Sequence, residues 1–178
     1  LYTFQLIGYL FDKDPSPKET SLLKDLSFIL FFPQLIAGPI ERAKSLIPQI
    51  DKKLVNFNFN EKNTKKGFYL FSIGLAMKTF FADFMATLIP KEYYLTGCFG
   101  ALETILGNGC VIYFDFLGYS LIALGLASFF NISLTLNFKR PYASISVQEF
   151  WRRWHITLTT WFKDYIYKPL ASSFSYSK

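Results

Sequence analysis

Long apolar runs separated by short charged stretches dominate this chain. The clearest run covers residues 67–89, where only Lys78 and Asp83 are charged and Pro90 follows. About 20 apolar residues cross a bilayer as a helix, so the run predicts a membrane-spanning helix. Lys78 and Asp83 are five positions apart, which puts them on different faces of an α-helix, and each is expected to face protein rather than lipid.

A second apolar region extends over residues 95–136. As one helix it would be about 63 Å long, too long for one crossing. Gly107-Asn108-Gly109 therefore predicts a break between helices at about 93–106 and 110–130. Asp115 lies within the second helix, where an unpaired carboxylate is costly. We expect it to be buried and hydrogen-bonded to another segment, either in a functional site or as a structural link.

Residues 26–40 carry no charge, but they are too short to span a bilayer and are interrupted by Pro33 and Gly38-Pro39. This pattern favours a broken or re-entrant segment, which at membrane depth must be buried in protein or line a cavity. A short core helix ending at the Gly-Pro turn fits equally well. The polar connection before it, residues 12–25, contains two prolines and is predicted to be non-helical. Asn60 is expected to cap the helix that follows it.

The stretch 149–167 holds all three tryptophans and the only histidine. As one helix from about Val147 to Tyr167, it would place Trp151, His155 and Phe162 on one broad aromatic face. Tryptophan and flanking cations suit the boundary of water and lipid, so this is predicted to be an interfacial amphipathic helix lying oblique or parallel to the membrane. An imidazole can serve as a general base near neutral pH, or it can simply pack; the helix pattern leaves both open.

Composition supports a membrane protein: 51% of the residues are hydrophobic, and the mean hydropathy is +0.23. The net charge of +6 could indicate nucleic acid, but the apolar runs favour basic loops facing anionic headgroups, and no nucleic-acid partner is expected. Residues 41–66 carry seven basic and three acidic residues, and residues 137–178 carry seven and two. Both should be cytoplasmic, which requires an even number of crossings between them, whereas the pattern gives three helices.

Cys98 and Cys110 lie in apolar sequence without the spacing of metal ligands, so we expect buried thiols and no metal site. Three stretches, read together, resemble the membrane-bound O-acyltransferase family, in its bacterial alginate O-acetyltransferase-like branch. The resemblance covers nearly the whole chain and rests on Phe31-Phe32-Pro33-Gln34-Leu35-Ile36-Ala37-Gly38-Pro39-Ile40, on Tyr113-Phe114-Asp115-Phe116-Leu117-Gly118-Tyr119-Ser120 with Asn137-Phe138-Lys139-Arg140-Pro141-Tyr142, and on Phe150-Trp151-Arg152-Arg153-Trp154-His155-Ile156-Thr157-Leu158.

This resemblance implies an all-α, polytopic membrane helical bundle around a central funnel, with residues 1–178 as one partial domain truncated at both ends. It implies transfer of an acyl group, most often acetyl, from a thioester donor (acyl-CoA or an acyl carrier) to a hydroxyl of an exported polysaccharide or cell-envelope polymer. No bound cofactor is expected. The membrane would be the inner, cytoplasmic one, crossed several times, and an extracytoplasmic partner transferase would take part.

His155 matches the first histidine of the family and is predicted to be catalytic. The second family histidine lies in a Trp-His-Gly-type motif further along than Lys178, so these 178 residues alone are expected to be inactive. His155 should point toward the helix with Asp115 and toward the broken segment around Pro33 to Pro39. The other residues expected to line the site or bind substrate are Trp151, Arg152, Trp154, Asp115, Tyr119, Asn137, Gln34 and Pro39.

A non-enzymatic membrane module, such as a channel, a transporter half or a scaffold, is the alternative reading of the same apolar pattern. The feature that separates the two classes is the second histidine motif, which the enzyme needs and the module does not.

Overall fold

A computed structural model describes residues 2–12, 22–35, 38–55, 58–89 and 97–175. All regular structure in these ranges is helical, with no strand, which confirms the all-α prediction. Most of the predicted non-helical connection, residues 13–21, lies outside the described residues, but the prediction is wrong at both ends, because Asp12 ends one helix and residues 22–25 begin another. The α-helices are α1 Tyr2–Asp12, α2 Leu22–Ile29, α3 Phe32–Leu35, α4 Ala43–Val55, α5 Glu61–Ala76, α6 Phe84–Leu88, α7 Gly97–Phe129, α8 Val147–Arg153, α9 Ile156–Phe162 and α10 Lys168–Ser175.

Helix α5 starts where predicted, because the Asn60 side chain accepts a hydrogen bond from the backbone N–H of Asn63 at 3.2 Å. It continues through a π-helical turn, Met77–Asp83, into α6, so that Glu61–Leu88 forms one helix of 28 residues. Within the described ranges, this helix and α7 are the two that are long and apolar enough to cross a membrane.

The predicted break at Gly107-Asn108-Gly109 is wrong, because α7 runs unbroken for 33 residues, about 50 Å. Asn108 donates a hydrogen bond from its side chain to the Thr104 carbonyl, 2.8 Å away on its own helix. A helical glycine costs only about 1 kcal/mol relative to alanine, which does not outweigh an unbroken ladder of backbone hydrogen bonds. The region therefore holds one long helix instead of two, and the two candidate spans give the even number that the charge pattern required.

Two pairs of glycines bring α5 and α7 into backbone contact. A Cβ atom on Gly74 would lie 2.7 Å from the Gly118 carbonyl oxygen, and one on Gly67 would lie 2.8 Å from that of Gly125. The two glycines on each helix are seven residues apart, so the same contact repeats after two turns. Close approach through small residues is how membrane helices gain packing energy.

The expectation that Lys78 and Asp83 lie on different faces of the helix is wrong, because they lie in the π turn. Their charged groups are 2.5 Å apart, because i→i+5 winding brings residues five apart onto one side of the helix. Lys78 also pairs with Asp115 of α7 at 2.7 Å. The two candidate spans are thus joined by an ionic cluster that also supplies partners for three charges in an apolar segment.

Residues 26–40 are broken, as predicted. Helix α2 ends at Ile29, α3 is a single turn, and the chain from Gly38 to Ile40 is buried and without regular secondary structure. Buried apolar side chains hold this segment to α4 and to the end of α7; they are Phe28, Leu46, Ile50, Ala127 and Ile132. Whether the segment lies at membrane depth stays a prediction.

The single helix predicted over Val147–Tyr167 is wrong. Helix α8 ends at Arg153, α9 begins at Ile156, and His155 between them has a left-handed backbone with φ 42° and ψ 56°. A second π turn, Lys163–Tyr167, follows α9.

The expectation that both cysteine thiols are buried is also wrong, since Cys98 is exposed and Cys110 is only half-buried.

Candidate active site

The break between α8 and α9 is made by hydrogen bonds from a distant segment, residues 137–139. The Lys139 N–H donates to the Arg153 carbonyl at 2.9 Å, and the Ile156 N–H donates to the Asn137 carbonyl at 2.9 Å. These two bonds satisfy the end of one helix and the start of the next, which local i→i−4 bonds would otherwise do. A left-handed residue other than glycine costs about 1–2 kcal/mol, and the two bonds on either side hold His155 there.

The turn buries the His155 side chain, which is 7% exposed and packs edge-on against Phe116 of α7 with ring centroids 4.7 Å apart. It thus points toward α7, as predicted. Its Nδ1 atom is buried and has no hydrogen-bond partner among the described residues. Burial lowers the pKa of His155 from 6.5 to about 4, so the imidazole is neutral at physiological pH. A neutral, desolvated ring with a free nitrogen can exchange a hydrogen bond or a proton with a ligand.

A buried polar network lies beside this histidine. The Asn137 side chain is 1% exposed; its Nδ2 donates to Ser120 Oγ at 2.9 Å, and its Oδ1 accepts from Thr157 Oγ1 at 2.6 Å. Thr157 Oγ1 in turn accepts from the backbone N–H of Ile40 at 3.1 Å. The network joins α7, the 137–139 segment, α9 and the chain after Pro39. Of these, α7 and the broken segment are the two that the sequence predicted to meet near His155.

An aromatic cluster covers one side of the break. Trp154 stacks on Phe150 at 5.6 Å and meets Phe138 edge-on at 5.0 Å. Trp151 is more than half exposed and meets the cluster at Phe150, with ring centroids 5.5 Å apart. Arg152 is also exposed. Of these three predicted site residues, only Trp154 packs into the aromatic cluster.

Two faces of α7 have different contacts, and the predicted site residues Asp115 and Tyr119 do not lie on the face that contacts His155. Phe116 and Ser120 face the histidine and its network. Asp115 and Tyr119 face the π turn after α5, where Lys78 lies 2.7 Å from the carboxylate and 5.5 Å from the centre of the Tyr119 ring. The expected partner from another segment for Asp115 is confirmed. Its expected burial is wrong, since its side chain is 38% exposed.

Gln34 and Pro39 hold the broken segment in shape. The Gln34 side chain is 2% exposed and donates to the Phe28 carbonyl at 2.9 Å, which also accepts from Gln5 at 3.3 Å. Pro39 is fully buried. A Cβ atom on Gly38 would lie 2.4 Å from the Gln34 Cα, so only glycine fits this turn.

Sequence reasoning missed Ser120, Thr157 and Glu41. Glu41 is 5% exposed, and its carboxylate accepts a hydrogen bond from the Thr135 N–H; burial raises its pKa. It borders a cleft of about 360 Å³ whose other lining residues include Arg42, Ser45, Thr135, Thr157 and Thr160. A carboxyl group two residues after a buried Gly-Pro turn was the available signal for Glu41. Ser120 and Thr157 gave none, because hydroxyl residues are common in apolar helices.

The model of the membrane-bound O-acyltransferase family matches residues 7–178, and the chain belongs to this family. It is 41% identical to a peptidoglycan O-acetyltransferase of Helicobacter pylori over 149 residues, 82% of this chain and 28% of that protein. It is 36% identical to a probable alginate O-acetylase AlgI of Pseudomonas aeruginosa, over 97% of this chain and 33% of that protein.

A teichoic acid D-alanyltransferase of Streptococcus thermophilus is 32% identical over 95% of this chain and 42% of its own length. The chain thus spans roughly a third of the length of the curated relatives it matches. Family membership and the two candidate spans together make this a membrane protein.

Proposed function

We propose that this protein is an O-acyltransferase that moves an acyl group, acetyl in the first instance, from a thioester donor to a hydroxyl of an exported polysaccharide or cell-envelope polymer. The observation that carries the proposal is His155, a buried neutral imidazole with a free nitrogen where the three family motifs converge. A histidine that only packed would leave that nitrogen unsatisfied at a cost of about 1–3 kcal/mol.

In the proposed reaction, Nδ1 of His155 accepts a hydrogen bond from the attacking hydroxyl and orients its oxygen toward the thioester carbonyl. The O–H and C–S bonds break, and an ester C–O bond and a thiol S–H bond form. A pKa of about 4 suits orientation better than full proton abstraction near pH 7. The cluster around Trp154 would exclude the water that competes with the acceptor.

Acetyl is preferred to D-alanyl because the two relatives with higher identity are named for acetyl transfer and the third for D-alanyl transfer. The proposal includes a donor that is acyl-CoA or an acyl carrier, and the exposed Arg152 would meet a phosphate or carboxylate of donor or acceptor. It also includes a multi-pass location in the inner membrane and an extracytoplasmic partner transferase.

The test compares His155→Ala with His155→Gln in cells that express the protein at matched membrane levels. Base-labile acetate and D-alanine are measured in the envelope polymer fraction. We expect His155→Ala to lower ester-bound acetate at least about a hundredfold, the effect of removing a key polar group, while His155→Gln retains more because its amide can still accept a hydrogen bond. Wild-type acylation by both variants would reduce His155 to a packing residue and favour the non-enzymatic module. A loss confined to D-alanine would correct the acyl group.

A further inference from the structure

We propose that Asn137 is a positioning residue for His155: its main chain and side chain hold the left-handed turn and so set the direction of the imidazole. The consequence for acyl transfer rests on the function proposed above, but the positioning itself does not. Asn137 does not touch the reacting atoms in this proposal; it acts through the turn.

The main chain of residues 137–139 binds the chain on both sides of His155. The Asn137 carbonyl accepts the Ile156 N–H, immediately after His155, and Lys139 binds the Arg153 carbonyl two residues before it. Both bonds are 2.9 Å long and enclose the Trp154–His155 pair. If residues 137–139 moved away, Arg153 and Ile156 would regain helical partners and α8 could continue into α9. His155 would then take a right-handed conformation and point elsewhere.

The side chain of Asn137 fixes where residues 137–139 lie. Thr157 Oγ1 accepts from the Ile40 N–H, so its own hydrogen is free to be donated to Asn137 Oδ1. This orientation of the amide leaves Nδ2 facing Ser120 Oγ, to which it donates. Asn137 thereby binds α7 and α9 at the same time, because its Nδ2 donates to Ser120 and its Oδ1 accepts from Thr157.

The side chains of this network are buried. Asn137 is 1% exposed, Ser120 3% and Thr157 6%, so water cannot replace a lost bond without entering the core. Removing one hydroxyl therefore leaves an unsatisfied amide group next to the turn. The expected response is a shift of the 137–139 segment and, with it, of His155.

The first measurement is the rate at which diethyl pyrocarbonate modifies His155 at pH 7, followed by mass spectrometry of the peptide that contains it. This reagent acylates a neutral, accessible imidazole nitrogen and needs no substrate of the protein. Wild-type His155 should react slowly because it is buried. Asn137→Leu and Thr157→Val should raise the modification rate by about tenfold. Thr157→Ser keeps the hydroxyl and should react as slowly as wild type. Ester-bound acetate in the envelope polymer fraction is measured on the same cells and should fall by about tenfold or more in the two disruptive variants.

Ser120→Ala and Ser128→Ala form a matched control. Both serines are buried on α7, two turns apart, but the Ser128 hydroxyl donates to the Leu124 carbonyl of its own helix, at 2.8 Å. Ser120→Ala should raise the modification rate of His155 and lower acetate, whereas Ser128→Ala should leave both within about twofold of wild type. This pair also keeps the proposal testable if Asn137→Leu fails to accumulate.

An unchanged modification rate in Thr157→Val and Ser120→Ala would overturn the positioning role, whatever happens to acetate. Equal rises in Ser120→Ala and Ser128→Ala would overturn it as well, because the effect would then be general loosening. A raised rate with wild-type acetate would support the positioning role and refute the proposed part of His155 in acyl transfer.

Discussion

At the scale of residues, the central observation is that His155 is buried, neutral and held in a conformation that its own sequence neighbours do not require. The free nitrogen and the low pKa have one cause, which is the removal of the ring from water. On the helix that precedes the turn, Glu149 binds Arg153 at 2.5 Å.

The lowered pKa of His155 predicts a specific pH dependence of stability. The unfolded chain binds a proton at this residue near pH 6.5, whereas the folded protein does so only near pH 4. The contribution of His155 to the free energy of unfolding is therefore highest above about pH 6.5. It falls as the pH drops toward 4, because the unfolded chain binds the proton first. The melting temperature of the purified protein in detergent should drop more between pH 7.5 and 5 for wild type than for His155→Gln.

The comparison between variants is needed because Glu41 acts in the opposite direction. Its raised pKa means that the folded protein binds a proton at this carboxyl before the unfolded chain does, so acidification favours folding there. Both variants retain Glu41, and its contribution cancels in the difference. Equal drops in melting temperature would show that His155 is not desolvated in the folded protein.

At the scale of elements, the crossing of α5 and α7 depends on glycine at the points where the backbones touch. Gly118 has the Gly74 carbonyl oxygen 2.8 Å from the position of its missing Cβ, while Gly109 on the same helix has only the Tyr142 hydroxyl, at 3.9 Å. The same substitution should therefore have opposite effects at the two positions.

Gly118→Ala should destabilise the protein by about 1–3 kcal/mol through overpacking. Gly109→Ala should stabilise it by up to about 1 kcal/mol, because alanine is the better helix former. Unfolding of the two purified variants in detergent, followed by helical circular dichroism, measures the difference. Gly118→Ala at or above wild-type stability would mean that the helices do not approach as closely as described.

At the scale of the whole molecule, the two candidate spans would place the basic stretches 41–66 and 137–178 on the same side of the membrane, and their charge predicts the cytoplasm. A membrane-impermeant maleimide should label Lys62→Cys and Lys139→Cys in inverted vesicles but not in intact cells, with both native cysteines replaced by serine. Native Cys98, at the first turn of α7, should show the reverse pattern when only Cys110 is replaced. Labelling of Lys62→Cys and Lys139→Cys from opposite sides would refute the two-crossing arrangement.

The sequence alone determined the features that depend on neighbouring residues. Apolar runs predicted the long helices, the prolines and Gly38 predicted the broken segment, and Asn60 predicted a helix start. The family motifs also singled out His155 and Asn137, and the structure places Asn137 beside the turn that holds His155. These signals work because hydrophobicity, capping and proline geometry act over a few residues.

Only the tertiary structure decided which hydrogen-bond partner each backbone and side-chain group takes. Residues 137–139 break the aromatic stretch at His155, and α7 continues through Gly107-Asn108-Gly109. A π turn joins Lys78 to Asp83, although α-helical spacing separates them. In each case two arrangements are locally possible and differ by about 1–3 kcal/mol, so contacts with segments far away in the sequence determine which one forms.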